Sequence, residues 1–243
     1  MTYAVGFLLD EGMVFASDSR TNAGVDQVST ARKMTVFSKP GDRFMVLMGA
    51  GNLAITQAVV RLLNEELNTD GPNDIYAAPT MFAAARMVGA ALRNVYEVDG
   101  GALQSQGIEF NAAFIFGGQI NSREQRLYQI YSAGNFIEAT AEAPYLQIGE
   151  TKYGKPIIDR TITSESSMQQ AIKCAILSFD STMRSNISVG PPIDILSYTR
   201  DSLNAGIKVQ LPEGDDYLAS IREYWGSALR RAFDDMPDPE WLK

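Results

Sequence analysis

Two periods of hydrophobic patterning divide the chain. Residues 2–9 (TYAVGFLL) and 13–17 (MVFAS) are short, almost wholly apolar runs, and the Asp10-Glu11-Gly12 triplet between them is a tight-turn signal. They predict the two strands of a hairpin. Further short strands are expected at 25–28 and 33–37, a turn at Lys39-Pro40-Gly41-Asp42, and a central strand at 44–48 (FMVLM). The spacing then changes. From Asn52, a natural N-cap, to about Leu67, the residues Ile55, Val59, Leu62 and Leu63 form one helical stripe. Thr80 caps a second helix carrying Met81, Ala84, Val88, Ala91 and Val95, which a glycine-containing loop at 99–107 is expected to end. Strands follow at 110–116, 127–130, 136–139 and 145–148, the first two joined by a hairpin through Gly117-Gly118 and Asn121. Helices are predicted from near Thr151, over 166–183 and over 215–233, with strands at 193–198 and 206–211 between the last two. Two sheets covered on both outer sides by helices would bury every stripe. The expectation is one layered α/β domain, helix-sheet-sheet-helix: a four-layer αββα sandwich.

Composition narrows the chemistry. The 243 residues carry a net charge of −8, which argues against nucleic acid as partner because phosphate binding needs a basic face. No apolar run approaches a bilayer span and the N-terminus has no signal-like segment, so the expected location is cytoplasmic, without a membrane partner. Cys174, the single cysteine, excludes an internal disulfide and falls in a helical pattern, as a buried thiol would. There is no histidine at all, which removes Ser-His-acid triads, Cys-His dyads and His-based zinc sites. No phosphate-binding loop, dinucleotide turn or calcium loop is present, and neither cofactor nor metal is expected.

Hydrolytic chemistry must then use an amine, a lysine, carboxylates or an oxygen-bound metal. Thr2 stands directly behind Met1, and removing that methionine would give one residue both a hydroxyl and a free α-amine. Such a pair supplies nucleophile and base without histidine. Thr2 is small enough for methionine removal, so processing is expected to stop at Met1 with no longer propeptide.

The order Met1-Thr2, Asp10-Glu11-Gly12, Ala16-Ser17-Asp18-Ser19-Arg20-Thr21, Arg32-Lys33 and Ala50-Gly51-Asn52 resembles the β subunits of proteasomes, which are N-terminal nucleophile hydrolases. The stretches SDSRTNAGVDQ, YLQIGETKYGKPIIDR and MRSNISVGPPID are similar to the bacterial branch called Anbu, the ancestral β subunit. This resemblance covers essentially all of residues 1–243, with a C-terminal helical extension at about 215–243. It implies a proteasome-type threonine peptidase in which Thr2 attacks an amide carbonyl, Lys33 lies beside its hydroxyl, Asp18 holds Lys33, Gly51 N–H forms the oxyanion hole and Ser188 lends support. Thr21 and Asn22 would line the cleft and pair with an extended peptide or other amide substrate. It also implies a homo-oligomer, as a ring or an open, helically offset ring.

Two positions depart from the proteasome pattern. Glu150 stands where a serine follows the glycine, and Ser185 replaces the aspartate of the Asp-x-x-Ser support that ends at Ser188. Both fall where the proton of the terminal amine would be handled, and Glu150 could restore a charge from the other side. Two alternatives therefore stand beside the peptidase: a proteasome-fold assembly protein with a weak or silent site, and a peptide ligase or amidase using the same nucleophile. The last helix adds a reason of its own for assembly. Leu218, Ile221, Trp225, Leu229 and Phe233 share one face while Tyr217 and Tyr224 lie on another, and Trp241-Leu242 follow in a proline-broken tail.

Overall fold

The computed structural model describes residues 1–23, 27–69, 71 and 73–242. Its first sheet is built on the predicted hairpin, β1 (Tyr3–Leu9) and β2 (Gly12–Asp18), paired antiparallel from Ala4↔Ser17 to Leu9↔Gly12. Between β2 and the second sheet lies a two-stranded ribbon, β3 (Arg20–Ala23) with β4 (Gln27–Thr30). The expected strand at 25–28 begins outside the described residues, and β4 runs on to Thr30. Next come β5 (Met34–Lys39), β6 (Arg43–Gly51), α1 (Leu53–Glu65) and α2 (Met81–Ser105). The middle of the chain supplies β7 (Ala112–Ile120), β8 (Arg126–Ile130), β9 (Phe136–Glu138) and β10 (Tyr145–Gly149). It closes with α3 (Thr151–Thr161), α4 (Met168–Ser185), β11 (Ile193–Thr199), β12 (Lys208–Leu211) and α5 (Asp216–Asp234).

The strands form two five-stranded sheets, ordered β10-β1-β2-β11-β12 and β5-β6-β7-β8-β9. Alternation along each strand assigns side chains to layers. Tyr3, Val5 and Phe7 of β1 meet Phe179 and Ala175 of α4 in one outer core, with Ile158 of α3 and Leu218 of α5. Phe15, Phe44, Val46, Ile115 and Tyr198 fill the space between the sheets. Met45, Leu47 and Phe114 meet Val59 of α1 and Val88 of α2 in the second outer core. These three cores make the four-layer αββα sandwich. Each large side chain sealed in this way contributes about 1.5–3 kcal/mol of transfer free energy.

Two expectations are corrected. Gly117 and Gly118 do not turn the chain; β7 runs straight through them to Ile120. A Cβ at Gly117 would lie 2.7 Å from Leu127 and 2.9 Å from Met13, so the glycine admits the facing sheet rather than a turn. Likewise the loop expected at 99–107 is mostly the end of α2, which continues through Gly100-Gly101 to Ser105. There the ring of Tyr96 lies against Gly100 and edge-on to Phe110 at 5.0 Å, while Leu103 packs on the core. Packing outweighs the poor helix propensity of the glycines.

Candidate active site

β1 is positioned from below by a buried polar chain. Tyr3 Oη receives a bond from Gln147 Nε2 (2.5 Å) and donates to Ser178 Oγ (3.0 Å), which donates to the Ala175 carbonyl (2.7 Å). Burial pushes the Tyr3 phenol far above its ordinary value, so it remains a neutral donor. Thr2, buried at the end of this strand, is fixed on both sides. Its carbonyl accepts the Glu150 N–H at 2.8 Å. The next residue's amide, Tyr3 N–H, donates to Asp18 Oδ1 at 3.0 Å. Met1 beyond it is 59% exposed, so the bond that joins it to Thr2 sits where the chain meets solvent.

Asp18 ends β2 and holds the lysine. Lys33 Nζ donates to Asp18 Oδ1 at 2.8 Å and to the Arg20 carbonyl at 2.7 Å. Burial lifts the Asp18 carboxyl above its usual range, opposed by Lys33 and by the Tyr3 N–H. Burial equally draws the Lys33 ammonium below its usual range, opposed by Asp18. Asp18 Oδ2 is buried without a hydrogen-bond partner among the described residues, although the Gly190 N–H lies near enough to favour the charge. The Lys33 carbonyl in turn accepts from Gly49 N at 3.0 Å, which ties the pair to the end of β6. Gly51 lies two residues on, with φ +107°, and a Cβ there would stand 2.3 Å from the Asn111 carbonyl. Only glycine fits that backbone. Asn52 follows as the expected N-cap, accepting from Ala54 N at 3.0 Å.

A cleft of about 220 Å³ opens beside the pair, between the end of β6 and α1, lined by Arg32, Lys33, Gly49, Thr56 and Phe114 among others. Larger hollows of about 500 and 590 Å³ lie at the opposite end of the sandwich, around Asp10 and Arg126, away from every candidate residue.

Bonds thus join Lys33 to Asp18, Asp18 to the amide of Tyr3 behind Thr2, and the Thr2 carbonyl to the backbone of Glu150; no described bond joins the Thr2 hydroxyl to Lys33. Thr21 and Asn22 sit in β3 beside Arg20; Asn22 is placed by its backbone, its side chain lying outside the described residues. Ser185 ends α4, exposed, and Ser188 lies in the following loop with its N–H on Asn186 Oδ1 at 2.9 Å. No described hydrogen bond ties the side chain of either serine to Thr2 or Lys33. The loop is instead held by residues outside the candidate set. Arg20 Nη1 donates to the Ile187 carbonyl (3.0 Å), Ser19 N to the Pro192 carbonyl (2.8 Å), and Ser19 Oγ to Asp194 Oδ2 (2.7 Å). Ser19 and Arg20 were visible as part of a polar run, but Asp194, 175 residues away, carried no local signal.

A family profile described as "Proteasome subunit" matches residues 2–196. An Anbu (Gly-1) mutant from Hyphomicrobium sp. strain MC1 is 48% identical and superposes with a TM-score of 0.92, covering 99% of this chain and 100% of the other. The chain belongs to the proteasome subunit family, in its Anbu branch. A second Anbu structure, from Pseudomonas aeruginosa and described as the helical assembly of the Anbu complex, is 44% identical with a TM-score of 0.91, covering 98% of each chain. Proteasome subunit beta 2 of Pyrococcus furiosus is 23% identical over 202 residues, 82% of this chain and 88% of that protein. The proteasome match ends at Leu196, within β11, so the final strand and α5 lie beyond it.

Proposed function

We propose that this Anbu-branch chain is an amide hydrolase of the proteasome type, with Thr2 as nucleophile, working inside a homo-oligomer. The buried Lys33–Asp18 pair, whose carboxylate also holds the amide of the residue next to Thr2, is the observation that carries the reading. Once Met1 is removed, the α-amine of Thr2 takes the hydroxyl proton as Oγ bonds to the amide carbon. Lys33, fixed by Asp18, favours the alkoxide, and a donor at Gly51 meets the oxygen that gains charge. The amine passes its proton to the departing nitrogen, leaving an ester on Thr2 Oγ that water cleaves. An extended substrate lies along β3 at Thr21 and Asn22, its side chain directed to the cleft at Gly49.

The test is covalent labelling with an electrophile directed at N-terminal threonine, read by intact mass. Processed wild type should gain one label and Thr2→Ala none. Processed protein that never labels would turn the reading to the alternative, an assembly protein with a silent site. The side chains of Ser185 and Ser188, which make no bond among the described residues, favour that alternative.

Assembly with copies of itself is the second part of the proposal. The Pseudomonas aeruginosa relative is described as a helical assembly, and α5 here leaves Tyr224, Leu229 and Phe233 exposed. A face of that kind asks for a second burial surface.

A further inference from the structure

We propose that Glu150 is a positioning residue that sets the proton affinity of the Thr2 α-amine; this deepens, and rests on, the reading of Thr2 as nucleophile and base. The backbone of the β10–α3 junction lies against Thr2. Glu150 N–H donates to the Thr2 carbonyl at 2.8 Å. Gly149 before it has φ +81°, and a Cβ there would lie 1.9 Å from that same carbonyl oxygen. The β10–α3 junction is thus folded directly onto the nucleophile's residue. Within one residue the nitrogen and carbonyl oxygen are roughly 3 Å apart by standard backbone dimensions. The terminal nitrogen of Thr2 therefore falls within one side-chain length of the Glu150 backbone.

The Glu150 side chain is sheltered. It is only 12% exposed, and a carboxylate taken this far from water normally has a partner. Helix capping does not use it: Glu150 is the N-cap residue of α3 but makes no side-chain cap bond. Its one described ionic neighbour is Lys152, 3.8 Å away and 70% exposed, a loose contact screened by solvent. A sheltered carboxyl with no described partner closer than Lys152 thus belongs to the residue whose N–H holds Thr2, within side-chain reach of the point where Met1 removal creates a cation.

The consequence follows from the signs. Lys33 disfavours protonation of the amine and would leave it a weak base; a carboxylate on the other side favours the ammonium and raises its pKa. Glu150 thereby keeps the amine able to accept the Thr2 proton at neutral pH. It fills the role that the Ser185 hydroxyl, exposed at the end of α4, does not reach by any described bond.

The direct measurement is a titration of the amine itself. Protein bearing Thr2 as its first residue, made with a cleavable leader if needed, is reductively methylated with carbon-13 and the α-amine resonance followed against pH. Glu150→Gln should lower the amine pKa by about 0.5–1 unit, Glu150→Asp by less, and Lys152→Ala should not lower it. Electrophile labelling should show its acid limb displaced to lower pH by the same amount in Glu150→Gln. A purely structural role would reduce the labelling amplitude without moving the limb. An unchanged amine pKa in Glu150→Gln that folds and melts like wild type overturns the proposal. Loss of all labelling in wild type with the titration shift intact would instead overturn the hydrolase reading alone.

Discussion

Lys33 Nζ and Asp18 Oδ1 stand 2.8 Å apart, with side chains 6% and 0% exposed. Two charges sealed together gain little net stability, but removing one strands the other. Lys33→Met or Asp18→Asn alone should therefore cost on the order of 3 kcal/mol. The Lys33→Met/Asp18→Asn double variant should recover most of that loss. All three should lose labelling at Thr2, because the positive charge beside the hydroxyl is absent or unheld. Chemical denaturation and labelling on the same samples separate the effects. A double variant no more stable than the worse single would show that the pair is not the energetic unit proposed.

Gly149 isolates the placement of Thr2 from the charge chemistry. Its β-carbon would fall 1.9 Å from the Thr2 carbonyl oxygen, and its φ of +81° disfavours any side chain. Gly149→Ala should cost about 1–3 kcal/mol and push the first strand end away from Lys33, so labelling should fall far more than stability. Near-normal labelling in this variant would mean that the terminus tolerates the shift and is not held by β10.

The strands were legible where burial is two-sided. β1, β2 and β6 read as unbroken apolar runs because a helix layer covers one face and a sheet the other, and Asn52 and Thr80 announced their helices as caps. Thr2 was singled out by its place behind Met1 in a chain without histidine, whereas Asp18 and Lys33 stood out as its companions only through their order in a family pattern. What failed was decided at long range. Gly117 reads locally as a turn residue, but Met13 and Leu127 from other strands dictate its lack of a side chain. Nothing near Ser19 points to Asp194, nor near Tyr3 to Ser178. Gly100-Gly101 break a helix on propensity alone, and Tyr96 and Leu103 carry α2 past them.

Cys174 provides a probe of global opening. The thiol is buried, burial raises its pKa, and the Thr161 hydroxyl lies 3.3 Å from Sγ. Little thiolate forms at pH 8 and less is reachable. A thiol reagent should react only at the rate of unfolding, so the rate should climb with denaturant along the unfolding limb. Rapid modification in native buffer would mean that α3 and α4 separate locally.

α5 packs on the outer core through its first half and exposes apolar side chains along its second half. Leu218 is buried and Ile221 packs on the outer core, so the first half of the helix belongs to the sandwich. Beyond it, Tyr224, Leu229 and Phe233 are exposed, Phe233 by 74%, followed by Met236, Trp241 (82%) and Leu242. The helix is well formed here, capped by Asp215 accepting from Leu218 N at 2.9 Å, and Arg222 is tied to Asp180 of α4. Its exposed apolar residues up to Phe233 thus stand on a helix that continues unbroken to Asp234. A heterologous contact through them repeats from copy to copy and need not close. Phe233→Asp, or deletion of residues 236–243, should shrink the particle in light scattering while leaving the far-ultraviolet helical signal within the few residues removed. Thr2 labelling per subunit should persist if each site is self-contained and fall with particle size if a neighbour completes it. A truncated protein that assembles like the full chain would remove the tail from the contact, and full-length monomer at micromolar concentration would sink the assembly proposal.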